Sequence, residues 1–371
     1  MSWRDQFIER FGPGAFSGVT LRVWLRVLHD NGFSIDPPYW GRAAMATLGS
    51  FTNSAAALLE HLRFGRRVAQ TPVPPPLFIL GIWRSGTTHL HNLLARDRRF
   101  AFPNFYETLY PHTFLTTEAA GASLVGRFLP ARRPQDNMGF GIGEPQEDEF
   151  ALGSLIGRSL LLSLAFPRNA ALYDRYLTLR DLNSAELAEW KSALLGFVRK
   201  LTFRHGRPLV LKSPGHTCRV RLLLELFPGA KFVHIRRNPF HVFQSARHTV
   251  LKLAPLWALQ RPDHTDLDDR VLRQYREVYE AYFEQRASIP ATRLHELSFE
   301  ELESNPVGRM RRLYEALGLP DFNSVEPALR AYVDSLRSYR KNEFPPLPPD
   351  LRRRISSEWR RCFEEWGYPV Q

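Results

Sequence analysis

The stretch Pro76-Leu77-Phe78-Ile79-Leu80-Gly81-Ile82-Trp83-Arg84-Ser85-Gly86-Thr87-Thr88-His89-Leu90 constrains this chain more than any other. The apolar run Leu77 to Leu80 has the length of a buried strand, Gly81 and Gly86 allow a tight turn, and Leu90, Leu93 and Leu94 recur at helical spacing. A strand that turns on glycines into a helix start makes an anion cradle. The first N–H groups of the helix have no internal partner, and the helix dipole adds partial positive charge. The spacing is G-x-x-x-x-G-T-T, whereas a nucleotide-triphosphate loop reads G-x-x-x-x-G-K-[S/T]. Thr87 stands where that lysine would be, and the nearest cation is Arg84, inside the loop. A ligand-free strand–helix turn would carry the same two glycines, so the rest of the chain must decide between the two.

Downstream, the same alternation recurs. Arg207 to Lys212 reads as a buried strand running into Ser213-Pro214-Gly215-His216, with a helix from Cys218 to Leu226. Lys231 to Ile235 is another strand, followed by Arg236-Arg237, the N-cap Asn238, Pro239 as first helical residue, and a helix to about Leu251. A helix over 270–286 and a last strand over 291–297 complete the pattern. Strand, helix, strand, helix at this spacing predicts parallel βαβ units. The expected fold is α/β of P-loop type: three layers, α/β/α, about a central, mostly parallel sheet. Residues 1–70 read as a helical N-terminal extension, and 71–371 as the α/β domain, delivered by the stiff connector Thr71 to Pro76. Phe100-Ala101-Phe102 is expected as a second short strand. Residues 111–150 read as an irregular, Gly- and Pro-rich insertion suited to a substrate loop or lid, and 152–204 as helical. The acidic run Glu147-Asp148-Glu149 reads as a helix N-terminus.

Composition narrows the class further. With 371 residues, 44% of them hydrophobic, the chain can bury a large core. The formal charge is +12, carried by 44 Arg against 6 Lys. Such a field attracts anions, although a solvated arginine-rich surface explains the bias equally. Two cysteines, Cys218 and Cys362, make neither a disulfide framework nor a cysteine metal site. The N-terminus lacks the pattern of a signal peptide, and no run is long and apolar enough to span a bilayer, which points to a cytoplasmic protein. The two nearest runs, Ala43–Leu59 and Leu152–Phe166, are expected to pack inside, with peripheral membrane contact a second reading for the first.

A P-loop ATPase or GTPase needs the loop lysine and an acidic residue at another strand end for Mg²⁺. Here the strand ends carry Lys212 and Arg236-Arg237. Cations at those ends suit several anionic groups without a metal. At this point the residues resemble the sulfotransferases that use 3′-phosphoadenosine 5′-phosphosulfate (PAPS). Arg84-Ser85-Gly86-Thr87-Thr88 is similar to that family's Lys-Ser-Gly-Thr-Thr loop for the 5′-phosphosulfate. Arg237 with Ser245, eight residues on, is similar to its 3′-phosphate clamp. Ser298-Phe299-Glu300-Glu301-Leu302 with Asn305-Pro306 resembles its segment near the adenine, and Arg340-Lys341 its late basic loop.

The resemblance implies sulfuryl transfer from PAPS to a hydroxyl or amine of a small-molecule, lipid or carbohydrate acceptor, with no metal and no nucleic acid, and allows a homodimer. It implies that Ser85, Gly86, Thr87 and Thr88 hold the 5′-phosphate, that Arg84 is a catalyst or only a clamp, and that Lys212 meets the sulfonate. Two residues stand as the base for the acceptor: His216, at a strand end where relatives place Lys-x-His, and Glu107, beyond the second expected strand. The competing readings are a P-loop kinase or nucleotide hydrolase, and a non-catalytic nucleotide- or polyanion-binding protein.

Overall fold

The computed structural model describes residues 12, 14–130 and 132–370; the helicity expected for 1–11 and 13 lies outside them. Two helices come first, α1 (Leu21–Asp30) and α2 (Trp40–Ala69), then strand β1 (Leu77–Leu80) and helix α3 (Thr87–Leu94). Four helices follow: α4 (Phe105–Leu109), α5 (Phe114–Gly126), α6 (Asp148–Ile156) and α7 (Ala170–Asp174). Helix α8 (Ser184–His205) leads to β2 (Val210–Lys212) and α9 (Val220–Leu226); β3 (Lys231–Arg236) is followed by α10 (Pro239–Trp257) and α11 (Leu267–Gln285). Strand β4 (Leu294–Ser298) is followed by α12 (Phe299–Ser304), α13 (Pro306–Ala316), α14 (Phe322–Ser335), α15 (Pro349–Glu358) and α16 (Arg360–Trp366).

The four strands form one parallel sheet in the order β2-β1-β3-β4. Side chains alternate across its two faces, as a strand's period of two requires. Phe78, Leu80, Leu211 and Phe232 enter one core with Trp190, Leu223, Phe243 and Tyr279 from the helices on that face. Leu77, Ile79, Val210, Val233 and Ile235 enter a second core with Leu90, Leu93 and Leu94 of α3, Met310 and Leu313 of α13, and Val325 and Leu329 of α14. The three layers follow directly from strands that are apolar on both sides. Phe16, Trp24 and Val27 near the N-terminus belong to the first of these cores.

Four expectations change. Phe100–Phe102 makes only an isolated bridge, Ala101 to Leu209, because β2 is short and the chain turns away at Pro103. The 111–150 segment is not wholly irregular: it contains α5, entered through turns at Tyr110 and Thr113. Residues 152–204 are not one helical run, since α6 stops at Gly157 (φ 66°) and short 3₁₀ turns follow before α8. The run Ala43–Leu59 packs by one face only: Ala43 and Ala46 are buried, whereas Leu48, Phe51, Leu58 and Leu59 are exposed.

Candidate functional site

The glycines of the opening stretch are needed where they stand. At Gly81 φ is 141°, and a Cβ there would lie 2.6 Å from the Ile235 carbonyl oxygen on the neighbouring strand. At Gly86 φ is 99°, and a Cβ would meet the Phe299 ring at 2.3 Å. Gly86 is the N-cap of α3 and brings no capping side chain. The first bond of the helix runs from the Leu90 N–H to the Gly86 carbonyl at 3.1 Å. The N–H groups of Thr87, Thr88 and His89 therefore have no intrahelical acceptor. The Ser85 hydroxyl does not join them. It is fully buried and donates to the Ile82 carbonyl at 2.7 Å, so it shapes the turn from within.

Cations gather in front of those donors. Arg84 sits at a left-handed backbone position, φ 72°. Its Nε donates to the Ser245 hydroxyl at 2.9 Å and its Nη1 to Asp136 at 2.9 Å. Arg237, at the end of β3, donates to the Arg84 carbonyl at 3.1 Å and lies over the Phe299 ring at 4.3 Å. Lys341 lies 5.8 Å from the centroid of that ring and pairs with Glu303 at 2.7 Å. Arg84, Gly86, Thr87, Thr88, Arg237, Ser245, Phe299 and Lys341 line one cavity of about 300 Å³. Arg340 lines the adjoining cleft, which shares Arg237, Phe299 and Lys341 with it.

Sequence reasoning missed Arg133 and Asp136. The Arg133 guanidinium reaches the Thr88 hydroxyl at 3.4 Å and Asp136 at 3.6 Å. Burial acts to raise the Asp136 carboxyl, but Arg133 and Arg84 outweigh it and hold it below the usual carboxylate range. The late basic loop closes on the same segment: the Tyr339 hydroxyl donates to the Asp136 carbonyl, and the Asn342 amide to the Gln135 carbonyl, both at 2.9 Å. The signal available in sequence was a charged cluster, Arg132-Arg133 with Asp136, inside an insertion that had no assigned structure.

Lys212, His216 and Glu107 do not line that cavity. All three are buried and paired. Lys212 Nζ donates to Glu147 at 2.6 Å, and burial pulls its ammonium below the usual lysine range against the pull of that carboxylate. His216 Nε2 faces Asp148 at 2.6 Å, while its Nδ1 has no partner. Arg219 donates to Glu149 at 2.7 Å. The run Glu147-Asp148-Glu149 does begin a helix, α6, and each of its carboxylates also takes one partner, Lys212, His216 or Arg219, from the end of β2 or the turn after it. Glu107 closes a capping box with Asn104 at the start of α4, and its other oxygen meets His205 at 2.7 Å.

A second cavity of about 120 Å³ adjoins the turn on its other side, lined by Ile82, Trp83, Leu161, Leu164, Val250 and Leu253 among others. Trp83 and Ala246 in its wall are chain neighbours of Arg84 and Ser245. Among the described residues, no group of three or more His, Cys, Asp or Glu is placed to hold a metal ion. Nor is any described helix long and apolar enough to cross a membrane.

A parallel P-loop-type α/β sheet, an uncapped helix start after a glycine turn, and arginines gathered in front of it make a cavity suited to anions. The profile of the sulfotransferase family matches residues 75–324. The chain is 39% identical, over 352 residues, to the omega-hydroxy-beta-dihydromenaquinone-9 sulfotransferase Stf3 of Mycobacterium bovis. That match covers 95% of this chain and 90% of the relative, and the same enzyme of Mycobacterium tuberculosis matches equally. The fold is shared with sulfotransferase STF9 from Mycobacterium avium, with a TM-score of 0.69 at 17% identity over 95% of this chain and 97% of that one. It is also shared with sulfotransferase STF1 from Mycobacterium tuberculosis, with a TM-score of 0.63 at 16% identity over 91% and 92%. The chain belongs to the sulfotransferase family. Kinase, nucleotide hydrolase and non-catalytic binder are thereby set aside.

Proposed function

We propose that the chain transfers a sulfuryl group from PAPS to a hydroxyl on an acceptor with an apolar body. The observation that carries this reading is a single cavity holding the uncapped start of α3 together with Arg84, Arg237 and Ser245. The N–H groups of Thr87, Thr88 and His89 suit the 5′-phosphate. Arg237, Ser245 and the neighbouring Lys341 and Arg340 suit the 3′-phosphate, with Phe299 as the apolar floor beneath Arg237. In the reaction the bond between sulfur and the bridging phosphate oxygen breaks, the acceptor oxygen bonds to sulfur, and adenosine 3′,5′-bisphosphate leaves. Charge grows on the bridging oxygen. The Arg84 fork, held by Ser245 and Asp136, can stabilise it without donating a full proton.

The hydroxyl proton needs a base. Of His216 and Glu107, only His216 keeps a side-chain atom without a hydrogen-bond partner, its ring Nδ1, so the base is assigned to it. It lines neither cavity, and the assignment requires the acceptor hydroxyl to reach that nitrogen. Glu107 has both oxygens occupied and is given a structural role. Replacing His216 by Asn should lower kcat at least about a hundredfold with donor binding intact, and Glu107→Gln should lower stability and leave kcat within a few-fold. The reverse pattern in single-turnover assays would exchange the two roles.

The apolar cavity beside Trp83 supports an acceptor whose hydroxyl ends a greasy chain, as does the relative that acts on an omega-hydroxy menaquinone. Two measurements test the proposal. Calorimetric titration with adenosine 3′,5′-bisphosphate in EDTA should show binding, and Arg237→Ala should weaken it about tenfold or more, the loss of one charge-assisted contact. Sulfur-labelled PAPS should then pass its label to an ω-hydroxylated prenyl quinone in preference to sugars. Absence of bisphosphate binding would sink the donor assignment, and equal labelling of sugars would sink the acceptor assignment.

A further inference from the structure

Helix α2 is built inside out. Its buried face carries Arg42, Ser50, Asn53 and Glu60, each engaged: Arg42 donates to the Ala258 carbonyl at 2.8 Å, Ser50 to Thr47, and Asn53 to Ser17 and Val19, while Glu60 accepts from Thr116 and pairs with Lys200. The outer face is apolar. Trp40, Leu48, Phe51, Leu58, Leu59 and Leu62 are between 56% and 73% exposed. At the helical repeat these six fall within an arc of about 100°, over a length of roughly 33 Å. Ala44 and Ala55 lie in the same arc and are also exposed. No charged residue interrupts the arc until Arg66. A single exposed leucine needs no explanation, but a row of this length on one helix does.

The last two turns of α2 carry Arg63, Arg66 and Arg67, all exposed, on a chain of formal charge +12. The Trp40 indole N–H is satisfied by the Ile35 carbonyl at 3.1 Å, so its ring can enter an apolar medium without stranding a donor. Helix α5 packs against α2, and the exposed Leu124 and Phe128 lie at its end and just beyond it. A second copy of this chain would bring the same net positive charge into the contact, whereas an anionic lipid surface complements it. An apolar face edged by arginine, on a helix not apolar enough throughout to cross a bilayer, has the character of a helix that lies in the interface plane.

We infer that α2 is a membrane-docking helix whose Trp40–Leu62 face enters an anionic lipid surface, with Arg63, Arg66 and Arg67 on the headgroups. This site is separate from the donor cavity, and none of its residues serves in the proposed transfer.

The test is co-sedimentation of the full chain with vesicles of phosphatidylcholine, with and without phosphatidylglycerol. Binding should appear with phosphatidylglycerol and fall at least about tenfold without it, because each headgroup contact contributes on the order of 1 kcal/mol. Leu48→Glu with Leu59→Glu should abolish binding, and Arg66→Glu with Arg67→Glu should weaken it at low salt. Unchanged bisphosphate binding and circular dichroism would show that both double variants are folded. Wild type that ignores both vesicle types would overturn the inference. So would binding that survives the leucine changes, or a stable dimer in ultracentrifugation that those changes split while vesicles are ignored.

Discussion

Arg84 is the residue on which the candidate site turns, and its backbone shows why. A non-glycine residue at φ 72° carries a conformational cost on the order of 1 kcal/mol, and it persists only where its surroundings over-determine it. Here Ser245, Asp136 and the Arg237 guanidinium on its carbonyl supply that constraint. Arg84→Lys keeps the charge but lacks a fork able to serve Ser245 and Asp136 together. We expect kcat/KM for the donor to fall about tenfold or more, with melting temperature changed far less; equal activity in steady-state assays would show that only charge matters at 84. Gly86 is constrained twice, by φ 99° and by the Phe299 ring. Gly86→Ala should cost about 2 kcal/mol in denaturant unfolding and weaken bisphosphate binding. Pairing it with Phe299→Ala should relieve the clash but not the backbone strain, so that only part of the loss returns.

At the scale of elements, β2 and α6 are joined by three adjacent pairs, Lys212–Glu147, His216–Asp148 and Arg219–Glu149. Removing one partner of a buried pair leaves a charge stranded. Glu149→Gln should therefore destabilise the protein by about 3 kcal/mol in urea titration, even though Arg219 also donates to the Tyr176 and Leu177 carbonyls. His91 is on the buried face of α3, and burial holds its pKa well below the ordinary histidine value. The unfolded chain therefore binds a proton that the folded chain refuses. Stability from this group is complete above the ordinary histidine pKa near 6.5 and declines as pH falls below it, by at most about 1.4 kcal/mol per pH unit. His91→Leu should flatten that slope; an unchanged slope in unfolding titrations between neutrality and mild acid would assign it to other groups.

Over the whole molecule, the N-terminal helices and the sheet share a core, with Trp24 fully buried in the same cluster as Phe78. A chain beginning at Thr71 should lose fixed tertiary packing, seen as loss of near-ultraviolet circular dichroism; a cooperative unfolding transition in that truncation would show the first 70 residues to be dispensable. The parts legible in sequence were those with local causes. Strands apolar on both faces, Gly81 and Gly86 at a strand–helix turn, and Asn238-Pro239 at a helix start are each dictated by neighbours a few residues away, and they were enough for the parallel sheet and the phosphate-type loop. What lay beyond reach needed contacts across the chain. Ser85 reads as a ligand until the fold turns its hydroxyl onto Ile82. Glu107 reads as an open base until His205 arrives from a distant segment, and His216 keeps only Nδ1 once Asp148 has taken Nε2. Arg133 and Asp136 read as an unassigned insertion until the turn they belong to brings their side chains to Thr88 and Arg84. The apolar residues of α2 were visible, but which of them face outward was decided only when Arg42, Asn53 and Glu60 found buried partners on other elements. By itself the sequence determined the parallel scaffold and the glycine turn that starts α3, because backbone geometry and alternating burial are local. Tertiary structure decided which polar groups are spent on one another and which remain for a ligand, because pairing depends on distances that no spacing along the chain encodes.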